Sequence, residues 1–388
     1  MSKKNASIAV IFSVAATWFS IHASGGFASG SQTMGFLTRY GVHAIWTPVV
    51  MVLLLALAYR ELFILGRNHN LTNFRALTDE LYHPYEKVLS PLYEVLSIIA
   101  SIMAISSCVA GGANVLESYF GLPYFVGIVV IGAIMILLSI FGRDIVLKSG
   151  TALCVVIFIA MLVICGIALT NGNGHLSTWM ASEEANSTNF GFVLLKMFSY
   201  AGFQCWGPVG ALIGVAGVLR TNKDINRSLA LGFIINAVML WLTNFAMMAY
   251  MPDCTQSPLP LYWICESTGQ QVVLIAYVVA LFSAYISTGV GVVYGLAVRY
   301  TPLVTNRRTD VNPTVVNGVI GALFIVVTVL VSTIGLTNII NYGFGYMGYV
   351  GIVMMFLPAV IVAPIKNRKF AREHPGVAEN GLEETADK

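Results

Sequence analysis

Ten apolar segments, each about the length needed to cross a bilayer core, leave this chain few soluble solutions. They fall at 6–38, 43–65, 88–117, 122–141, 148–170, 189–219, 225–250, 270–300, 313–334 and 336–365. A helix needs roughly 20 apolar residues to span the hydrocarbon. Charged residues make up 10% of the chain, against roughly a quarter in a soluble domain. The apolar runs are continuous rather than alternating, which excludes a β-barrel. The expected class is an all-α integral membrane protein with ten transmembrane helices and lipid as its main surroundings. Nucleic acid is not an expected partner.

Basic residues set the expected orientation. Arg67, Arg75 and Lys87 follow segment two, and Arg220, Lys223 and Arg227 follow segment six. Arg299, Arg307 and Arg308 follow segment eight, and Lys366, Arg368, Lys369 and Arg372 follow segment ten. The opposite loops, 171–188 and 251–269, carry no Lys or Arg, and Arg39 is the exception. Ten spans in the cell membrane with both termini cytoplasmic satisfy this pattern. Residues 66–87 are too polar to span. They predict a short amphipathic helix on the inner face, with Leu71, Phe74, Leu77, Leu81 and Tyr85 apolar. Residues 1–370 then form one transmembrane domain, and 371–388 a disordered tail; the charged stretch opens at Lys366.

Segments one and six are interrupted. The first carries Ser24-Gly25-Gly26-Phe27-Ala28-Ser29-Gly30, and the sixth Gly202-Phe203-Gln204-Cys205-Trp206-Gly207-Pro208. Gly and Pro are poor helix formers. One and six are the same position in two halves of five spans, about 6–170 and 189–365. An odd number of spans per half turns the second half upside down. Matched interruptions in inverted halves point to a transporter binding site at the bilayer midplane. Unpaired backbone groups are costly in hydrocarbon and tolerable where a ligand or ion meets them. Close helix packing by small residues is the competing explanation. The reading places Gly25, Gly26 and Gly202 in non-helical backbone around one cavity.

Gly25-Gly26-Phe27-Ala28-Ser29-Gly30, followed by Thr38-Arg39-Tyr40-Gly41, resembles the YkvI-like bacterial membrane proteins of the amino acid–polyamine–organocation superfamily. The resemblance implies a LeuT-type 5+5 inverted-repeat fold and secondary transport. Ala284-Tyr285-Ile286-Ser287-Thr288 places two hydroxyls and a carbonyl within one helical turn. By the resemblance, Na⁺ is held there by the Ala284 carbonyl, the Ser287 and Thr288 hydroxyls, and carbonyls near Ser20 and Ala23. Oxygen ligands suit a hard cation. Ser and Thr also bond back to their own helix. Ser287, Gly291 and Gly295 form a small-residue face suited to helix packing.

The expected substrate site gathers Trp18, His22, Ser24, Gly25, Gly26 and Phe27 from segment one. Segment three contributes Ser107, Gly111 and Asn114, and segment six Phe203, Gln204 and Trp206, with Tyr285 from segment eight. Ionisable groups inside spans are functional candidates by default. His22 would titrate, contact substrate or sit neutral in the core. Lys196 would pair with an anion or snorkel outward. Glu94 lies where a basic neighbour would pair with it. Cys254 and Cys265 share one outer loop, where a disulfide is expected. No nucleotide loop, catalytic cluster or cofactor motif is present, so an enzyme is not expected, and active transport would draw on an ion gradient. The leading reading is a secondary transporter of a small amino-acid-like or amine solute, coupled to Na⁺. The alternatives are proton coupling and a ligand-sensing receptor of the germinant-receptor type.

Overall fold

The computed structural model describes residues 6–71, 73–206, 212–213, 217–308 and 311–375, with side chains described outside 141–154 and 173–174. No strand occurs among the described residues. Seven helical stretches are long and apolar enough to cross a membrane. They include α4 (Thr47–Asn68), α6 (Glu86–Phe120), the apolar part of α8 (Arg143–Ala181) and α11 (Asn222–Met248). The others are α13 (Gln271–Thr305), α14 (Pro313–Ser332) and α15, which runs as α and π turns over Leu336–Glu373. Three shorter helices complete ten passes: α1 (Ile8–His22), α7 (Tyr124–Leu137) and α10 (Phe190–Gln204).

The two halves repeat in length and in packing. α1 and α10, the first helices of each half, both have 15 residues. α6 and α13, the third helices, both have 35. α6 packs on α7 as α13 packs on α14, and the equivalent helices α4 and α11, and α6 and α13, pack on each other. The core lies along α4, α6, α11 and α13. The outer face of α14 leaves Val319, Leu323 and Leu330 exposed. Water would not tolerate such a stripe, whereas lipid is its natural neighbour. This is a multi-pass membrane protein.

The polar link between segments two and three folds largely as its pattern predicts. Asn73 caps α5 (Phe74–Tyr82) by accepting from the Ala76 N–H at 2.9 Å. Leu77 and Leu81 are buried, and Leu71 and Phe74 pack against the core. Tyr85 departs from the pattern: it lies beyond α5 and is 70% exposed. Glu94 pairs with Arg75 at 3.1 Å and Arg299 at 3.3 Å, tying α5 and α13 to α6. The charged tail is helical to Glu373, not disordered from Lys366. Lys366 bonds the carbonyl and carboxylate of Glu80, and Asn367 bonds Glu61, which anchors this extension of α15. Residues 376–388 lie outside the described residues.

The expected disulfide is absent. Cys254 and Cys265 are buried free thiols. Cys254 Sγ turns inward, 3.4 Å from the Met247 carbonyl and 3.8 Å from Met251 Sδ. Cys265 sits on the buried side of α12 (Pro260–Ser267). Burial pushes Cys254 up to about 12 and Cys265 up to about 11, with the carboxylates of Asp253 and Glu266 adding to the rise. Such thiols are poor nucleophiles for exchange. Non-reduced protein, unfolded and alkylated, is expected to carry a label on both cysteines. Mass spectrometry finding an unlabelled, linked pair would overturn this.

Candidate functional site

Both interrupted helices are too short to cross alone: 15 residues span about 22 Å, against a hydrocarbon core of about 30 Å. α1 ends at His22. Ala23 leaves helical geometry (φ −76°, ψ 43°) and Ser24 is extended (φ −63°, ψ 170°). The chain then re-enters helix as α2 (Gly25–Ala28), turns at Gly30 (φ 83°) and continues as α3 (Ser31–Phe36). The break therefore precedes the glycine pair, and Gly25 and Gly26 are helical. The second helix ends at Gln204, followed by Cys205 and Trp206 in a turn; residues 207–211 lie outside the described residues. Gly202 is also helical and does not open the break. It packs against the backbone of Gly348 and Gly351 on α15.

Freed carbonyls at both breaks are met by the protein's own donors. Tyr59 Oη donates to the Gln204 carbonyl at 2.8 Å, and Tyr93 Oη to the Cys205 carbonyl at 3.1 Å. At the first break, Tyr277 Oη donates to the Ala28 carbonyl at 2.7 Å, and Ser29 Oγ to that of Gly26 at 3.0 Å. The Leu261 N–H donates to the Ser29 carbonyl at 3.1 Å. These bonds make interrupted helices tolerable in an apolar setting. Tyr59, Tyr93 and Tyr277 escaped the sequence reading. Their signal was a phenol inside an apolar span, where a hydroxyl needs a partner.

His22 is fully engaged. Asn236 Nδ2 donates to the Gly232 carbonyl at 2.7 Å, so its Oδ1 is the acceptor facing His22. His22 Nδ1 donates to that oxygen at 2.6 Å, leaving Nε2 to accept from Tyr200 Oη at 2.5 Å. One directed, neutral hydrogen-bond chain thus joins the end of α1 to α10 and α11. Neither Tyr200 nor Asn236 was singled out from sequence.

The other expected residues divide into two groups. One group does converge on the first break. Tyr285 lies between Gly25 and Gly111, where a Cβ on either glycine would overlap its ring. Phe27 sits 5.3 Å from the His22 ring, and Ser24 accepts a 3.5 Å bond from Gln32 Nε2. Asn114 is buried on the same helix as Gly111. The second group faces elsewhere. Trp18 packs edge-on to Tyr59 at 5.3 Å and against Gly232. Phe203 stacks on Phe344 at 4.2 Å, while Trp206 stacks on Tyr93 at 4.7 Å and donates to the Met347 carbonyl at 2.7 Å. Gln204 is buried and contributes its carbonyl to Tyr59. Ser107 bonds back to the Ala104 carbonyl at 2.8 Å. Lys196 lies over the rings of Phe192 and Tyr349, at 5.4 and 5.5 Å, away from the break.

For the ion, Ser20 and Ala23 fall at the end of α1, and Ala284, Ser287 and Thr288 lie on α13. Ala284 is buried, and both hydroxyl residues are half-buried. α13 packs against α2 immediately after the break. A small surface cleft also lies beside α3, lined by Ser31, Met34, Arg39, Pro258, Ile340 and Asn341.

No family model matches the chain, and no curated protein sequence matches it. Solved structures do. A Na⁺-coupled sialic acid symporter, substrate-bound and outward-open, superposes with a TM-score of 0.60 at 13% identity, over 92% of this chain and 90% of that one. MhsT in complex with L-phenylalanine gives 0.59 at 13%, over 97% and 100%. Mhp1, a nucleobase–cation-symport-1 family transporter in a closed conformation with bromovinylhydantoin bound, gives 0.56 at 13%, over 94% and 93%. Interrupted first and sixth helices, a five-plus-five repeat and these likenesses define a multi-pass membrane protein with the LeuT-type fold.

Proposed function

We propose that the chain is a secondary active transporter that carries a small organic solute by alternating access around the two breaks. The observation that supports this most is the matched interruption of α1 and α10 in inverted halves. Breaks kept at equivalent positions serve a shared midplane site better than they serve stability. On this reading, the YkvI-like resemblance extends to function, residues 1–370 act as one transport unit, and the protein sits in the cell membrane with both termini cytoplasmic. Ser24, Phe27, Gly111, Asn114 and Tyr285 line the solute site, with His22 bracing it.

Sodium is the proposed coupling ion, held by the Ser287 and Thr288 hydroxyls and the carbonyls of Ser20, Ala23 and Ala284. An ion bridging α13 and α1 would bias the transport equilibrium. Linkage then requires solute and Na⁺ to raise each other's affinity by the same factor, typically about 5–150-fold. Thr288→Val removes one oxygen at nearly constant volume. It is expected to weaken the Na⁺ stimulation of uptake into proteoliposomes by about tenfold or more while leaving folding intact. Uptake that is equal in Na⁺ and in choline at fixed pH would exclude sodium coupling, and absence of net flux for any solute that binds would overturn transport itself.

A further inference from the structure

One side chain packed against the first break is absent from the sequence-based site. Gln32, on α3, folds back over Gly26: the place a Cβ would take on Gly26 is 2.6 Å from Gln32 Nε2. Gln32 is 3% exposed. Its Nε2 makes only the 3.5 Å bond to Ser24, and its Oε1 has no partner. Tyr285, fully buried between Gly25 and Gly111, has a hydroxyl that makes no well-aligned hydrogen bond, although Ser29 Oγ lies within its reach. Ser29 Oγ, on the same stretch, is bonded to the Gly26 carbonyl and Ser31 Oγ instead. Buried polar atoms left unpaired destabilise a fold. Two residues that carry such atoms, Gln32 from α3 and Tyr285 from α13, pack on the adjacent glycines Gly26 and Gly25 just after the first break, with the Tyr285 hydroxyl turned towards Gly111.

The charge inventory around them is equally informative. Residues 23–38, 101–116, 197–219 and 271–298 contain no Asp, Glu, Lys, Arg or His. These stretches include every residue of both breaks. The ionisable side chain next to them is His22, whose two ring nitrogens are already engaged. A free amine entering here would lose its hydration and find no carboxylate. A carboxamide does something different. Gln32 offers an acceptor and a donor side by side, complementary to the N–H and C=O edge of another amide, as in Gln–base pairing.

We propose that Gln32 and Tyr285 form the recognition edge for an uncharged solute with adjacent donor and acceptor, a cyclic amide or imide, in preference to an amine. This rests on the transport site proposed above and narrows its substrate class. The test is binding to the purified full-length protein, followed by thermal unfolding, with uracil as cyclic imide, L-leucine as zwitterion and tyramine as cation. Uracil is expected to stabilise saturably, and leucine and tyramine to have no effect. Gln32→Leu is expected to weaken uracil by about tenfold, the scale of one to two hydrogen bonds. Tyr285→Phe keeps the ring and removes the poorly paired hydroxyl, so it is expected to weaken uracil while leaving the unliganded protein as stable or more so. Gln32→Glu is expected to gain tyramine binding. Failure of uracil to bind, or unchanged uracil affinity in both Gln32→Leu and Tyr285→Phe, would overturn the assignment. Uracil that binds but is not carried into proteoliposomes leaves the assignment standing and sinks the transport reading. Leucine or tyramine carried without uracil does the reverse.

Discussion

Replacing His22 by Phe is expected to cost about 2–6 kcal/mol, because it strands two buried polar groups at about 1–3 kcal/mol each. Tyr200 Oη loses its acceptor and Asn236 Oδ1 loses its donor, and both residues are fully buried. The ring is of similar size, so a cavity contributes little. A cycle separates the network from simple packing. Tyr200→Phe alone breaks the chain from the other end and is expected to cost about 1–3 kcal/mol. In the His22→Phe background it removes an orphan instead and is expected to be neutral or stabilising. A strongly non-additive pair is the signature of groups that act through one bond. Thermal or denaturant unfolding of the four proteins in one detergent measures it. Additive costs would mean that His22 contributes by filling space, and that α1 and α10 are joined by something else.

Much of the architecture was legible because its physical cause is local. A run of about twenty apolar residues has few alternatives to a spanning helix, and loop charge counts the crossings. Asn73 and the spacing of Leu77 and Leu81 likewise announce α5. The positions of both breaks were legible to within a few residues from clustered Gly and Pro. What the glycines do there was not. A glycine permits unwinding and close approach equally well, and only tertiary structure selects between them. At Gly25, Gly26 and Gly202 it selects close approach. At Gly291 and Gly295, expected on a packing face, nothing lies within 4 Å of where a Cβ would stand. The Cys254 and Cys265 error has the same origin, since a shared loop says nothing about where two Cβ atoms point. The polar partners were hidden by distance along the chain: Tyr59 meets Gln204, Tyr277 meets Ala28, and His22 meets Asn236. Gln32 was hidden by a turn at Gly30 that carries it back over the motif it follows.

The seam between α10 and α15 carries the second large effect. A Cβ on Gly202 would overlap the Gly348 carbonyl oxygen and lie 2.5 Å from the Ile352 nitrogen and 3.0 Å from the Gly351 carbonyl carbon. All three are backbone atoms, so no rotamer change relieves the clash. A Cβ on Gly348 or Gly351 would meet α10 in the same way, at Ser199 and Gly202. Gly202→Ala must therefore push the two helices apart. Overpacking of this kind costs about 1–3 kcal/mol. Two further bonds cross the same seam, Ser199 Oγ to the Gly345 carbonyl at 3.0 Å and Trp206 Nε1 to the Met347 carbonyl at 2.7 Å. Each adds about 1 kcal/mol when separation breaks it. The expected total, about 3–5 kcal/mol, is large against the margin of a folded protein, and Gly202→Val should not fold at all. Gly295→Ala is the matched control. It lies in helix α13 with open space around it and gains helix propensity, so it is expected to be neutral or slightly stabilising. If Gly202→Ala unfolds no earlier than Gly295→Ala, the helices are not in backbone contact, and the glycine at the second break must then be explained by unwinding after all.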